Sequence, residues 1–226
     1  MYRLLLTHRV PAVVFEKYGG IYELISPPGG SDAFTWGQAK RAIADCDAMF
    51  SMGSFPVQAE LLASAAKLRA VGTLSVGYDH INIAACNEKG VVIINTPLTV
   101  CESTAEFSVA LILGITKGIP MFDRDLRRVR LCKTDLFFDR DILLSGKTVG
   151  ILGFGRIGQA VCRKLQSLGV SVVYYDPRRL APEKENELNA VYLPMDDLLR
   201  TADIITCHMT LSDKTYHLLD DAAFGK

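Results

Sequence analysis

Gly153-Phe154-Gly155-Arg156-Ile157-Gly158 carries glycine at its first, third and sixth positions, and Asp176 follows eighteen residues after the last of them. The run Val149-Gly150-Ile151-Leu152 before this motif suits a buried strand. A helical pattern follows Gly158, and a second apolar run ends in Asp176. Strand, glycine turn, helix, strand and terminal acid, in that order, make an arrangement that binds a dinucleotide. Gly153 allows the tight turn, Gly155 lets the backbone approach a pyrophosphate, and Gly158 lets the helix sit close to the strand. The N–H groups at the start of the helix then face the phosphates. Asp176 is placed to accept hydrogen bonds from the adenosine ribose hydroxyls, and its charge repels a 2′-phosphate, which favours NAD over NADP. Arg178 and Arg179 complicate that reading, because either could pair with a 2′-phosphate, although Asp176 would remain in the way.

These residues need a scaffold, and the chain supplies alternating strand and helix patterns. In the first part, candidate strands are Arg3–Leu6, Ile21–Ile25, Ala48–Met52, Leu68–Gly72 and Val91–Ile94, with candidate helices near Ala12–Tyr18, Gln38–Ile43, Val57–Ala66 and Asn82–Lys89. The second part repeats the pattern with strands Thr148–Leu152, Val170–Tyr175, Ala190–Leu193 and Asp203–His208. Such alternation implies parallel sheets covered on both faces, the α/β class. Thr96-Pro97 separates the two, giving a first lobe over residues 1–97 and a second over 98–226. Ser103-Thr104-Ala105-Glu106 reads as a capping box, with Ser103 as N-cap of a helix running to about Thr116. That helix is apolar around most of its circumference, which predicts burial between layers or at a subunit contact. Residues 121–146 are richer in charge, through Asp123, Arg124, Asp125, Arg127, Arg128 and Arg130, and read as an exposed helix and an arm.

Bulk properties exclude several classes. Twenty-five basic and twenty-five acidic side chains cancel in the 226 residues, so no net field draws in nucleic acid or an anionic membrane. Hydrophobic residues at 49% and charged residues at 22% are a globular balance that fills a core. Cys46, Cys86, Cys101, Cys132, Cys162 and Cys207 are widely spaced without a Cys-x-x-Cys pair, which suggests reduced, mostly buried thiols and a cytoplasmic setting. The apolar stretch around Val109–Leu113 is too short to span a bilayer, and the N-terminus is too short in its apolar part for a signal peptide. No His, Cys and carboxylate cluster has metal-ligand spacing, so no metal is expected.

Taken together, the motifs resemble the D-isomer-specific 2-hydroxyacid dehydrogenase family. Ser75-Val76-Gly77-Tyr78-Asp79-His80-Ile81 is similar to its substrate-loop signature, and Asn95-Thr96-Pro97 with Ser103-Thr104-Ala105-Glu106 to its interdomain crossover and first long helix. Gly146 to Gln159 resembles its cofactor fingerprint, while Ala202-Asp203-Ile204-Ile205 and Leu211-Ser212-Asp213-Lys214-Thr215 match the later cofactor-side strand and loop. The resemblance implies a flavodoxin-like substrate lobe, a Rossmann-type cofactor lobe, and reversible reduction of a 2-oxo acid to a D-2-hydroxy acid with NAD. A homodimer through the cofactor lobe is expected.

The resemblance also places residues. Arg156 and Ile157 would contact the cofactor, Thr104 would lie near the nicotinamide side, and Met209 with Thr210 would pass near the adenine or its ribose. Thr210 stands where the family often has proline. Val76 and Gly77 sit in the substrate loop, where glycine lets backbone N–H groups converge on a carboxylate. His80 beside them reads as structural rather than as the acid. The family's chemistry uses an arginine for the substrate carboxylate, a histidine as proton donor and a glutamate that tunes it. All three would follow the region matching Leu218–Lys226, so no catalytic residue is assigned and the chain is expected to be a fragment or a prematurely ended form. Two alternatives stay open: a non-catalytic, corepressor-like module that senses NAD, and an inactive truncated product.

Overall fold

Short apolar runs become strands, and among the described residues every pairing between these strands is parallel. The computed structural model describes residues 1–129 and 141–226 and divides into two units, Met1–Val100 and Cys101–Lys226. Arg130 and Cys132 lie outside the described residues.

In the first unit, β1 (Tyr2–Leu6), β2 (Tyr22–Ile25), β3 (Ala48–Ser51), β4 (Ala70–Thr73) and β5 (Val92–Ile94) form one sheet in the order β2-β1-β3-β4-β5. Between them run α1 (Trp36–Ala42), α2 (Ala59–Ala63) and α3 (Ile83–Glu88). Leu5, Ile43, Met49, Leu61, Val71 and Cys86 fill the space between helices and sheet and are fully buried. Local chemistry starts the helices. Gln38 N–H donates to Thr35 Oγ1 while Thr35 N–H donates to Gln38 Oε1, a reciprocal cap on α1. Asn82 Oδ1 accepts from Ala85 N–H at 3.0 Å to cap α3. The helix expected at Ala12–Tyr18 is instead two short 3₁₀ turns, Ala12–Val14 and Glu16–Tyr18, and neither buries a residue. A single turn with no apolar face against the sheet gains nothing from packing, which is what sustains short α-helices.

In the second unit, β6 (Thr148–Leu152), β7 (Ser171–Tyr175), β8 (Ala190–Tyr192) and β9 (Ile204–Cys207) are ordered β8-β7-β6-β9. The helices are α4 (Cys101–Thr116), α5 (Ile119–Val129), α6 (Arg156–Gln166), α7 (Pro182–Glu187), α8 (Met195–Thr201) and α9 (Asp221–Phe224). Strand order therefore reverses at β6: the chain steps outward to β7 and β8, then returns to the other side for β9. Such a reversal opens a crevice beyond the carboxyl ends of the central strands. Asp203 ties the beginning of β9 to that of β6, accepting from Thr148 N–H at 2.8 Å and Lys147 Nζ at 3.0 Å.

One expectation about α4 is corrected. It begins at Cys101, so Ser103 and Glu106 lie inside it and form no capping box. Lys164 on α6 takes both acids of that stretch instead, Glu102 at 2.9 Å and Glu106 at 3.5 Å, which draws the Glu106 carboxylate outward. Within this chain the helix is buried on one side: Ala105, Ile112 and Thr116 are buried, whereas Phe107, Leu111 and Ile115 form an exposed stripe at four-residue spacing. On α5, Asp123, Arg124, Arg127 and Arg128 are exposed as expected, and Arg127 pairs with Asp123 at 2.9 Å one turn back. Cys46, Cys86 and Cys162 are buried free thiols, and burial pushes Cys162 up to about 11.

Candidate functional site

The glycine motif sits at the reversal of strand order. β6 ends at Leu152, Gly153 turns the chain, and α6 starts at Arg156. Each glycine has a distinct physical reason. Gly153 has φ +88°, and a Cβ there would come within 2.7 Å of the His208 carbonyl carbon and the Met209 nitrogen, in the segment that leaves β9. Gly158 is buried, and a Cβ on it would meet the Gly153 oxygen at 2.3 Å, so only glycine lets α6 rest on the turn. Gly155 differs: it is exposed, and a Cβ would find no heavy atom within 4 Å. The two outer glycines close the turn against protein, and the middle one faces open space.

No side chain caps α6, whose eleven residues start at that open face. Its first N–H groups and the positive end of its dipole are left to an outside anion. Arg156 is exposed at the first helical position and Ile157 is half-buried beside it. Asp176, half-buried after β7, accepts from Phe154 N–H through Oδ2 at 2.9 Å and from Arg178 N–H through Oδ1 at 2.9 Å. Each carboxylate oxygen keeps lone pairs for a further donor. An open glycine, an uncapped helix start and an acid at the neighbouring strand end together fit the pyrophosphate and ribose of a dinucleotide.

The turn is braced from behind. Phe154 is buried and stacks on Tyr174, ring centroids 4.0 Å apart. Tyr174 donates its hydroxyl to Glu185 Oε1 at 2.7 Å and accepts from Leu180 N–H at 3.0 Å. Glu185 in turn receives Arg179 through two bonds of 2.9 Å, and the guanidinium lies 5.1 Å from the Tyr192 ring centroid. Bonds from Arg179 and Tyr174 hold the Glu185 carboxyl down at about 2, while burial and that same carboxylate push the phenol up to about 12. The sequence reading left Glu185, Tyr174 and Tyr192 out. The available signal was Pro182 at the start of α7, which puts Glu185 in its first turn.

The remaining residues assigned from the sequence fall into place as follows. Met209 packs against the buried cluster that Leu152, Val173, Leu198 and Leu199 form, and its backbone abuts Gly153. Thr210 is exposed, and its carbonyl accepts from Thr215 Oγ1 at 2.7 Å. Thr104 is half-buried in the first turn of α4, and its carbonyl accepts from Ser108 Oγ. His208 bonds Thr206 Oγ1 at 3.0 Å, and burial lowers its pKa.

In the first unit, the loop after β4 carries Val76 and Gly77, both half-buried. Its carbonyls are used: Asn95 Nδ2 donates to the Val76 oxygen at 2.9 Å, Ser75 Oγ to the Gly77 oxygen at 2.6 Å, and Thr96 N–H to the Ser75 oxygen at 3.1 Å. Among the described residues, no acceptor meets the backbone N–H of Val76, Gly77 or Tyr78. The loop thus presents donors with its acceptors satisfied, a character suited to an anion. His80 Nε2 lies 3.3 Å from Thr73 Oγ1. Asn95 is the residue the sequence reading missed here.

A glyoxylate reductase from Korarchaeum cryptofilum is 35% identical over 183 residues, covering 79% of this chain and 54% of that protein. A D-3-phosphoglycerate dehydrogenase from Mycobacterium bovis is 37% identical over 185 residues, covering 82% of this chain and 34% of that protein. The chain spans about half the length of the glyoxylate reductases it matches. In fold, it superposes on a D-lactate dehydrogenase from Aquifex aeolicus, solved with NAD and lactic acid, with a TM-score of 0.82 at 23% identity, over 98% of this chain and 64% of that one. Residues 109–226, more than half of the chain, match the D-isomer specific 2-hydroxyacid dehydrogenase NAD binding domain. The glycine turn, its acid and these matches agree, and the chain belongs to the D-isomer specific 2-hydroxyacid dehydrogenase family.

Proposed function

We propose that this protein serves an NAD-dependent oxidoreductase that interconverts a 2-oxo acid and a D-2-hydroxy acid by hydride transfer. The observation that carries the reading is the open, uncapped glycine turn at the strand reversal, with Asp176 bonded into it. NAD bound there supplies the hydride acceptor in one direction and, once reduced, the donor in the other.

The chain's own residues then have separate tasks. Gly153 and Gly158 shape the turn, and Gly155 keeps its face clear for the pyrophosphate. Arg156 and Ile157 flank the phosphates at the helix start, and Asp176 holds the ribose hydroxyls. Thr104 serves the nicotinamide side, and Met209 with Thr210 border the adenosine. The unused N–H groups of Val76 and Gly77 support a role in holding the substrate carboxylate, because they offer donors where the neighbouring carbonyls are already bonded. No acid–base residue is assigned within residues 1–226.

A homodimer through the second unit belongs to the same proposal, supported by the exposed Phe107, Leu111 and Ile115 stripe on α4. A cytoplasmic location is supported by the free thiols of Cys46, Cys86 and Cys162. The test is a titration of the folded chain with NADH, followed by NADH oxidation assays with glyoxylate, hydroxypyruvate, pyruvate and 2-oxoisocaproate. Saturable NADH binding that Gly155→Val abolishes is expected. A folded chain that does not bind NADH overturns the proposal.

A further inference from the structure

Two arginines follow Asp176, and only two residues separate Arg179 from the acid. By distance along the chain, Arg179 could reach the ribose end of the site, where a 2′-phosphate would attract it. Its guanidinium is engaged elsewhere. Both of its bonds to Glu185 are 2.9 Å, and it lies over Tyr192 on β8. Because β7 stands between β8 and β6, this engagement draws Arg179 away from the glycine turn that ends β6.

We propose that Glu185 is a specificity-determining positioning residue: by anchoring Arg179 on the α7 and β8 side of β7, it withholds the guanidinium from a 2′-phosphate and so enforces NAD over NADP. The inference rests on the dinucleotide reading above and adds a residue to it.

The hold is firm for a physical reason. The Glu185 side chain is only 10% exposed, so its carboxylate needs a cation. If Arg179 left, a buried charge would keep only the Tyr174 hydroxyl as partner. The Leu180 N–H bond to Tyr174 also fixes the backbone beside Arg179. Recruiting Arg179 to a 2′-phosphate therefore means breaking two charge-assisted bonds to form new ones, with little net gain. Asp176 repels the phosphate, and Glu185 removes a cation that would offset that repulsion.

The test compares dissociation constants of NADH and NADPH, and of ADP and 2′,5′-ADP, by calorimetric titration of the full chain. Glu185→Gln keeps an acceptor for the Tyr174 hydroxyl while removing the charge that holds Arg179. NADPH affinity relative to NADH should rise about tenfold in this variant, the size of one added charge-assisted bond. Arg179→Gln alone should leave the ratio unchanged, and Glu185→Gln combined with Arg179→Gln should return it to the starting value. An unchanged ratio in a Glu185→Gln variant that still binds NADH overturns the role of Glu185 alone. If Glu185→Gln does not fold, Arg179→Gln decides: a loss of NADPH affinity means that Arg179 already serves the phosphate and overturns the proposal, whereas an unchanged affinity upholds it. A folded parent chain that binds neither nucleotide overturns the dinucleotide reading itself.

Discussion

Phe154 N–H donates to Asp176 Oδ2 at 2.9 Å, so the acid that ends β7 is bonded to the centre of the turn that ends β6. Asp176 thus has a structural task beside any role toward ribose, and substitution separates the two. Asp176→Ala leaves the buried Phe154 donor without an acceptor and should cost about 1–3 kcal/mol in urea unfolding. Asp176→Asn retains an acceptor for that donor and should cost less. Both should weaken NADH binding, and both should narrow the preference for NADH over NADPH.

The three glycines should respond differently to alanine. Gly158→Ala forces a Cβ to 2.3 Å from the Gly153 oxygen, and Gly153→Ala adds a positive φ to its clash with the chain after β9. Each should lose about 3 kcal/mol or more of stability, read from denaturant midpoints. Gly155→Ala meets nothing in the protein, so its midpoint should move by no more than about 0.5 kcal/mol. Its loss should appear in NADH affinity alone. Equal destabilisation by all three would contradict the open face at Gly155.

Acid should find the brace behind the turn. The folded Glu185 carboxyl titrates at about 2, below its ordinary 4.5, because Arg179 and Tyr174 bond to its charged form. A group with a depressed folded pKa adds stability above its unfolded value and loses it as pH falls toward the folded one. Stability from this network should therefore be complete above about pH 4.5 and decline progressively toward pH 2. Glu185→Gln should flatten that part of the curve of melting temperature against pH. An identical slope in the two proteins would show that Glu185 does not couple folding to protonation.

On the first unit, Asn95→Ala removes the 2.9 Å bond that orients the Val76 carbonyl. If the loop's N–H groups receive a substrate carboxylate, the dissociation constant of the 2-oxo acid should rise about tenfold, the value of one misplaced hydrogen bond, while NADH affinity stays constant. A change in NADH affinity instead would place the loop's effect on the cofactor.

Leu111→Asp puts a charge in the middle of the exposed α4 stripe without touching its buried face. Sedimentation should report a shift from dimer to monomer with the melting transition of each unit preserved. A dimer that survives the substitution rules out this stripe as the contact.

Strand positions in the second unit were legible because parallel, two-sided strands read as continuous apolar runs: Thr148–Leu152 was located to the residue, and the other three to within two. The glycine turn was legible because its spacing encodes backbone contact, not side-chain chemistry. Ser103 and Glu106 show where local patterns mislead. Their spacing matches a cap, but Lys164 on another helix claims the glutamate, and the helix starts earlier. Arg179 shows the same limit. Its pairing joins residues from the loop, α7, β7 and β8, and no helical or strand periodicity links all four. Charge beside Asp176 was visible in the sequence, whereas its removal by Glu185 is a tertiary fact.

The buried cysteines give the two units separate clocks. Cys46 and Cys86 lie inside the first and Cys162 inside the second, and burial pushes all three thiols up, away from the reactive thiolate. Alkylation at each one must then wait for its own unit to open. Peptide-resolved labelling of a single sample would time both openings at once. Added NADH should slow the labelling of Cys162, leaving Cys46 and Cys86 at their original rates.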